Sequence, residues 1–202
     1  IVVVQIIACI AIADCIFGFV HWLEDGYGSP SWAVIGPNVI QPNILHHFDS
    51  SHLTHHSWLY NARGPIAATA VAVVGAAALG VMPWQFTVVA ALGINGNEFH
   101  MWSHRAPRNN GKIVTLIQRI GLLQSPQYHA QHHGGQKRTH YCTGTVYVNP
   151  ILDKVRLWSA LEMIIFWTTR VRRRPDPSLE RGANRNAPTC TAVSCRPTAL
   201  AL

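Results

Sequence analysis

Histidines supply most of the side chains in this sequence that could do chemistry. All twelve fall within the first 140 of its 202 residues. His100 and His104 are four residues apart, so on a helix their rings leave the same face. His129, His132 and His133 repeat these spacings of three and four. Because imidazole is a very common ligand of transition metals, the two clusters predict a metal centre rather than scattered surface histidines.

A third cluster lies upstream, in the segment LHHFDSSHLTHH of residues 45–56, and His21 precedes it with an acid at Asp25. A tetrahedral zinc site takes three or four protein ligands, whereas these clusters offer roughly eight or nine imidazoles. The count therefore indicates two metal ions. The nine acidic residues are too few for the carboxylate cages of soluble di-iron bundles, so most ligands must be nitrogen atoms.

The composition favours a membrane protein. Hydrophobic residues make up 49% of the chain and charged residues 12%, and the net charge is +7. Such a charge can indicate nucleic-acid binding, but the basic residues form short runs beside apolar segments, as at 170–174, and no nucleic-acid module is recognisable. Basic runs beside membrane spans bind anionic headgroups and mark the cytoplasmic side. The five cysteines contain no CxxC pair and indicate no disulfide framework.

Three apolar stretches, 1–20, 65–82 and 85–99, predict membrane-spanning helices, since about 20 apolar residues cross a bilayer. His21 follows the first stretch, His56 shortly precedes the second and His100 follows the third, which predicts that the histidine clusters lie on one membrane face; the far turn carries no charge. The basic residues lie on the histidine side, which predicts that it is cytoplasmic or stromal. Residues 151–171 could span a fourth time, but their charges favour an interfacial helix, as does the amphipathic pattern of 113–123.

The expected fold is therefore an all-α integral membrane bundle of three to four spans plus interfacial helices, with the histidine site on the cytoplasmic or stromal face. Asp14 interrupts the first stretch and is expected to face partner helices, because a carboxylate facing lipid is costly. The sequence begins at Ile1 inside an apolar run, so we expect it to be a fragment. Residues 175–202 lack periodicity and predict a disordered tail.

The order of the motifs resembles the plasmanylethanolamine desaturase family, also called the Kua or CarF family, whose plant relatives are plastid desaturases acting on phosphatidylglycerol. The matching motifs are HWxxDxxG from His21, HH at 46–47 followed by LTxH, NxxHxWxH from Asn97, and HxxHH from His129. The resemblance implies one membrane lipid desaturase domain over residues 1–174. The sequence also departs from the family pattern, for example at His55, where relatives usually have arginine. These departures leave open which substrate of the family this chain would use.

Members of this family are regarded as membrane-bound, O2-dependent desaturases with a histidine-ligated di-iron centre. The resemblance thus implies two iron ions, O2 as co-substrate and a phospholipid substrate desaturated near its headgroup. The product would be the vinyl ether of a plasmalogen or an unsaturated acyl chain of phosphatidylglycerol. An external electron carrier of cytochrome b5 or ferredoxin type is also implied, because no flavin, haem or ferredoxin module is visible. The implied location is the endoplasmic reticulum, a plastid membrane or a bacterial inner membrane.

Carried over motif by motif, the resemblance implies nine metal-binding histidines. These are His21, His46, His47, His56, His100, His104, His129, His132 and His133. Asp25 would be a further ligand or would accept a hydrogen bond from a ligand, a role for which Asp49 is the weaker candidate. The four expected to act most directly in catalysis are His100, His104, His132 and His133. Three histidines without a regular counterpart are expected not to bind metal, namely His52, His55 and His140.

Three other functions are alternatives for a histidine-rich membrane protein. A di-iron lipid hydroxylase would share the metals and differ in its product. A membrane zinc hydrolase would need a box like HExxH with a glutamate base, and the sequence contains none. A membrane protein that binds metal without catalysis would lack O2-dependent turnover.

Overall fold

The computed structural model describes residues 1–179, and the elements of this part of the chain are helical. No strand occurs among these residues, which confirms the all-α prediction. The α-helices are α1 (Val2–Gly26), α2 (Gln41–Phe48), α3 (Trp58–Ala78), α4 (Trp84–Ile94), α5 (Gly96–His104), α6 (Gly111–Arg119), α7 (Pro126–His133), α8 (Val148–Lys154) and α9 (Leu157–Thr169). A π-helical segment precedes α2 at Gly36–Ile40, and short 3₁₀ turns occur at His52–His55 and Pro107–Asn109.

The first helix is the long apolar element of the fold. It has 25 residues, and its most apolar 18-residue window has a mean hydropathy of 2.4. At about 1.5 Å per residue it is roughly 37 Å long, which exceeds the ~30 Å hydrocarbon thickness of a bilayer. Within residues 1–179 it is the one helix that is long and apolar enough to cross a membrane. Its last turns carry His21 and Asp25, which lie five residues and one residue before its end at Gly26.

The second and third apolar stretches form helices whose ends differ from the predicted ones. Helix α3 begins at Trp58, because the Ser57 side chain caps it by accepting a hydrogen bond from the Tyr60 N–H. The predicted segment 85–99 is divided between α4 and α5. The break falls at Asn95, whose side chain donates to the Ala91 carbonyl and accepts from the indole of Trp58. Asparagine favours such local bonds over a continuing helix.

Residues 151–171 are likewise not one helix. The chain turns between α8 and α9 at Arg156, which has a left-handed backbone with φ of 53°. Helix α9 then has 13 residues and a length of about 20 Å, short of a hydrocarbon core. This length favours the interfacial alternative over a fourth span.

An aromatic core joins the end of α1 to the loop before α8 and to the start of α9. Its buried members are Trp22, Tyr141, Cys142, Val148 and Trp158. The same loop is bonded to Asp14, which is 1% exposed and accepts hydrogen bonds from the Gly144 N–H, the Thr145 N–H and the Thr145 hydroxyl. Asp14 thus faces the protein interior as predicted, although its partners belong to a loop rather than to helices.

The segment after α9 returns to the end of α1. The Arg174 N–H donates to the Gly26 carbonyl at 2.7 Å, and the Arg174 guanidinium donates to the carbonyls of Glu24 and Asp25. Residues 175–179, the start of the predicted tail, pack beside the histidines, and the rest of that tail, 180–202, lies outside the described residues.

Candidate metal centre

Four helix segments bring their histidines to one place. The end of α1 contributes His21 and Asp25, and the last turn of α2 contributes the pair at positions 46 and 47. Helices α5 and α7 each present their histidines at spacings of three or four. These rings lie on the helix faces that the spacing predicted.

Two groups of possible ligands result. In the first group, one nitrogen of each ring lies within 4.8 Å of the others, and its members are His46, His100, His104 and His133. The second group meets the same criterion with three imidazoles and one carboxylate, and its members are His21, Asp25, His47 and His132. Each group has the ligand number and nitrogen-rich character of a transition-metal site.

The two groups adjoin each other. The ring centroids of His46 and His47, one from each group, are 4.4 Å apart. The rings of His21 and His100 are separated by 5.0 Å, and those of His132 and His133 by 5.3 Å. Two ions held by these groups would therefore be neighbours.

Hydrogen bonds to the outer ring nitrogens define the tautomers of several imidazoles. His21 Nδ1 lies 3.0 Å from the Tyr141 carbonyl, and His132 Nδ1 lies 2.8 Å from the Thr139 carbonyl. His46 makes the same kind of bond to the Asn43 carbonyl. A carbonyl can only accept, so each ring carries a proton on Nδ1, and in its neutral form it has its lone pair on Nε2.

The Nε2 atoms of five rings in the two groups lack hydrogen-bond partners in the described part of the chain, although three of them lie within 3.7 Å of the Asp25 carboxylate. Within the described residues, the Nε2 atoms of His21, His46, His47, His132 and His133 are buried without a hydrogen bond. Burying unpaired polar atoms is costly, and natural structures rarely leave several together. One cation in each group would pair all five atoms. The residues present therefore fit a metal centre.

Nitrogens in and beside the first group lie at hydrogen-bonding distance from one another. His100 Nε2 is 3.1 Å from His104 Nε2 and 3.0 Å from the Nε2 of His129, a ring just outside the group. Loss of hydration, together with the neighbouring imidazoles, lowers the pKa of His100 and His129 well below 6.5 and the pKa of His104 to about 3. The rings are therefore neutral near pH 7, the form that binds metal.

Asp25 supplies the carboxylate of the second group. Its side chain accepts a hydrogen bond from the Asn43 amide at 2.7 Å through Oδ1, and its Oδ2 has no hydrogen-bond partner among the described residues. Oδ2 lies 3.4 Å from His132 Nε2, and Oδ1 lies 3.3 Å from His47 Nε2. The carboxylate is thus positioned to share a cation with these two rings.

The remaining histidines lie elsewhere. The structure does not bring His56 into either group, since its ring stacks on Tyr60 with centroids 4.1 Å apart and contacts His52 at 5.1 Å. His55 is exposed and bonds to a serine, and His140 pairs with Asp153 at 3.1 Å. The Asp49 carboxylate accepts from Ser51 and not from a histidine.

Sequence reasoning missed Asp176. Its carboxylate accepts a very short hydrogen bond from His47 Nδ1, and it also pairs with Lys137 Nζ at 3.6 Å. Although burial opposes ionisation, the hydrogen bonds from His47 and Ser178 hold the pKa of Asp176 below its ordinary value. No spacing signal could have revealed this contact, because 129 residues separate the partners.

Residues 10–176 match the family model described as a lipid desaturase domain. A protein named "Probable fatty acid desaturase" from Acanthamoeba polyphaga mimivirus is 28% identical over 85% of this chain and 86% of its own length. The plasmanylethanolamine desaturase of Myxococcus xanthus is 30% identical over 81% of this chain and 60% of its length. Fatty acid desaturase 4 of Arabidopsis thaliana chloroplasts is 26% identical over 81% and 51%. No solved structure matches.

Proposed function

Because this chain belongs to the lipid desaturase family, we propose that it is a membrane-bound desaturase that uses two iron ions and O2 to introduce a double bond into a phospholipid chain. The observation that carries the proposal is the pair of adjoining ligand groups, in which five buried Nε2 atoms lack hydrogen-bond partners among the described residues. Removing hydrogen from unactivated methylenes is beyond side-chain acid–base chemistry. Iron bound by these groups would supply the activation of O2 that the reaction requires.

The chain's own residues would bind the metal ions, orient the ligand rings and shield the ligand atoms from water. The Tyr141 and Thr139 carbonyls hold the Nδ1 protons of His21 and His132, which aims both Nε2 lone pairs inward. Burial keeps bulk water from the ligand atoms, and His46 and His132 are 0% exposed. We assign ligand roles to the members of the two groups, with His129 beside the first group as an additional candidate. His56 lies outside this assignment.

The proposed substrate is a phospholipid that reacts close to its headgroup. The ligand groups lie around the last turns of α1, where an apolar helix of bilayer length ends. A chain bond near the headgroup would be at the same depth. The names of the bacterial and plant relatives leave two candidates, the ether chain of a plasmanyl lipid and an acyl chain of phosphatidylglycerol.

The proposed topology follows the distribution of charge. The histidine end of α1 would lie on the cytoplasmic or stromal side, because the basic residues follow the histidine clusters rather than the turn between α3 and α4. Helices α3 and α4 would complete a bundle around α1, and α9 would lie at the interface. Electrons would come from a separate carrier of cytochrome b5 or ferredoxin type.

Lipid analysis of a host that expresses the full-length protein tests the proposal. We expect wild type to produce vinyl-ether lipids or unsaturated phosphatidylglycerol, and His100→Ala to produce neither. His55→Ala, an exposed histidine outside both groups, is the matched control and should keep wild-type product. Hydroxylated lipids in place of alkenes would establish the hydroxylase alternative. Bound metal without any O2-dependent lipid product would contradict catalysis altogether.

A further inference from the structure

Helix α6 carries two neighbouring stripes on its outer side. Ile113, Leu116 and Ile120 recur at spacings of three and four and are 75%, 58% and 58% exposed. Lys112 and Arg119 lie on the adjoining stripe and are exposed as well. The apolar stripe thus has a cationic edge, the arrangement of helices that lie in a membrane interface.

The cationic edge borders an open groove of about 500 Å³. Arg108, from the 3₁₀ turn before α6, lines the groove together with Lys112 and Arg119, and no acidic residue lines it. In the part of the chain that the structure describes, none of these three side chains has a hydrogen-bond or ion-pair partner. Three unpaired cations around one groove form a site for an anion.

The opposite side of α6 is hydrogen-bonded to the backbone of α5, the helix that carries His100 and His104. Gln118 is buried, and its amide donates to the Trp102 carbonyl at 3.1 Å and to the Gln124 carbonyl at 2.7 Å. Asn110, just before the helix, donates to the same Trp102 carbonyl at 2.8 Å. Trp102 lies between His100 and His104 on α5. The groove is therefore held in a defined position relative to the proposed ligands.

We propose that this groove binds the headgroup phosphate of an anionic phospholipid. The lipid chains would lie along Ile113, Leu116 and Ile120, and the three cations would surround the phosphate. An acidic protein would satisfy the cations equally well, but it would leave the large exposed apolar stripe in water; the stripe therefore favours lipid. The inference rests on the proposed membrane location and does not require desaturation.

Native mass spectrometry of the full chain in an uncharged detergent tests this site. The probes are dioleoyl phosphatidylglycerol, dioleoyl phosphatidylcholine and inorganic phosphate. We expect wild type to bind one phosphatidylglycerol more tightly than phosphatidylcholine. Lys112→Gln/Arg119→Gln should weaken that binding about 30-fold, since each cation near an anionic headgroup contributes about fivefold. Free phosphate should not displace the lipid at equal concentration.

The matched control removes two exposed cations elsewhere. Lys154→Gln/Arg156→Gln carries the same charge change on the turn between α8 and α9 and should keep wild-type affinity. Both double variants should retain wild-type melting temperature and iron content, which separates headgroup binding from folding and from catalysis. Equal affinity in the two double variants would overturn the proposal. So would a groove variant that keeps lipid affinity but loses reduction by the electron carrier, which would identify a protein-docking site.

Discussion

His47 differs from the other oriented histidines in what it bonds. His21, His46 and His132 donate Nδ1–H to neutral carbonyls, whereas His47 donates to the carboxylate of Asp176. A carboxylate acceptor fixes the ring in the same way and also makes the other nitrogen a stronger donor to metal. The second group therefore includes the Asp25 carboxylate, and the Asp176 carboxylate bonds to the outer nitrogen of its His47 ring. Two negative charges at this position would favour the more highly charged state of an ion bound there.

Asp176→Asn tests that carboxylate. The asparagine oxygen can still accept from His47, so the ring should keep its orientation and lose only the negative charge behind it. We expect iron affinity to fall about tenfold or more, in line with other substitutions behind a metal ligand. The measurement is iron retained against a chelator titration. Asp49→Asn, which changes an exposed carboxylate bonded to Ser51, should retain iron as wild type does, and an unchanged titration for Asp176→Asn would contradict the role.

His104→Ala tests the first group. His104 Nε2 lies 3.1 Å from His100 Nε2, and alanine removes one of the four nitrogens. We expect loss of most iron from that group and loss of lipid product, with membrane insertion unchanged. Metal analysis of the purified protein and lipid analysis of the host measure the two effects. His55→Ala provides the comparison, and full product from His104→Ala would remove this residue from the site.

The histidine pairs were predictable because an imidazole three or four residues from another shares its face on any helix. His56 shows the limit of that reasoning. It follows the 3₁₀ turn His52–His55 and has an extended backbone. Helical spacing relative to His46 and His47 therefore does not determine where its ring lies. The contact of Asp176 with His47 could not be predicted for a different reason. The two residues are far apart in sequence, so their contact depends on how the whole chain folds.

Helix α1 is joined to the loop before α8 at two points. Asp14 and His21 are seven residues apart, two turns along one side of the helix. Asp14 accepts from the Gly144 and Thr145 N–H groups, and His21 donates to the Tyr141 carbonyl. The carboxylate inside this apolar helix therefore holds the loop that orients a proposed ligand.

Asp14→Ala should release that loop. It leaves two buried backbone N–H groups and a hydroxyl without their acceptor, which we expect to lower the free energy of unfolding by about 2–4 kcal/mol. Thermal unfolding in detergent measures the loss. Gln5→Leu, at the other polar position of the apolar part of α1, should leave the melting temperature unchanged. Gly144→Ala changes the loop side of the same contact, because its Cβ would lie 2.9 Å from Asp14 Oδ1. This variant should also lower the melting temperature.

The helices themselves followed from the apolar stretches, whereas their ends depended on single residues. Asn95 divides a predicted continuous segment because its side chain bonds back to Ala91 and across to Trp58. Arg156 divides another through its left-handed backbone, a conformation that hydropathy does not encode. Apolar content predicts which segments are helical, and local hydrogen bonds and backbone angles determine where each stops.

The proposed metal centre joins several elements of the fold. Its proposed ligands come from α1, α2, α5 and α7, and the segment after α9 adds Asp176. Three of these helices, α1, α2 and α7, contribute buried Nε2 atoms that lack hydrogen-bond partners among the described residues. Until cations pair those atoms, their burial opposes folding. Metal binding and folding must therefore be coupled across most of the described chain.

Removing the metal should consequently lower the stability of the entire domain. An ion present at 100 to 1,000 times its dissociation constant stabilises the folded state by about 3–4 kcal/mol, and a domain of this size shifts its melting temperature by about 2–4 °C per kcal/mol. We expect chelation to lower the melting temperature by about 10 °C and anaerobic ferrous iron to restore it. The gap between iron-loaded and chelated protein should shrink in His132→Ala and persist in His55→Ala. An unchanged melting temperature after chelation would show that these imidazoles do not join the four helices through metal.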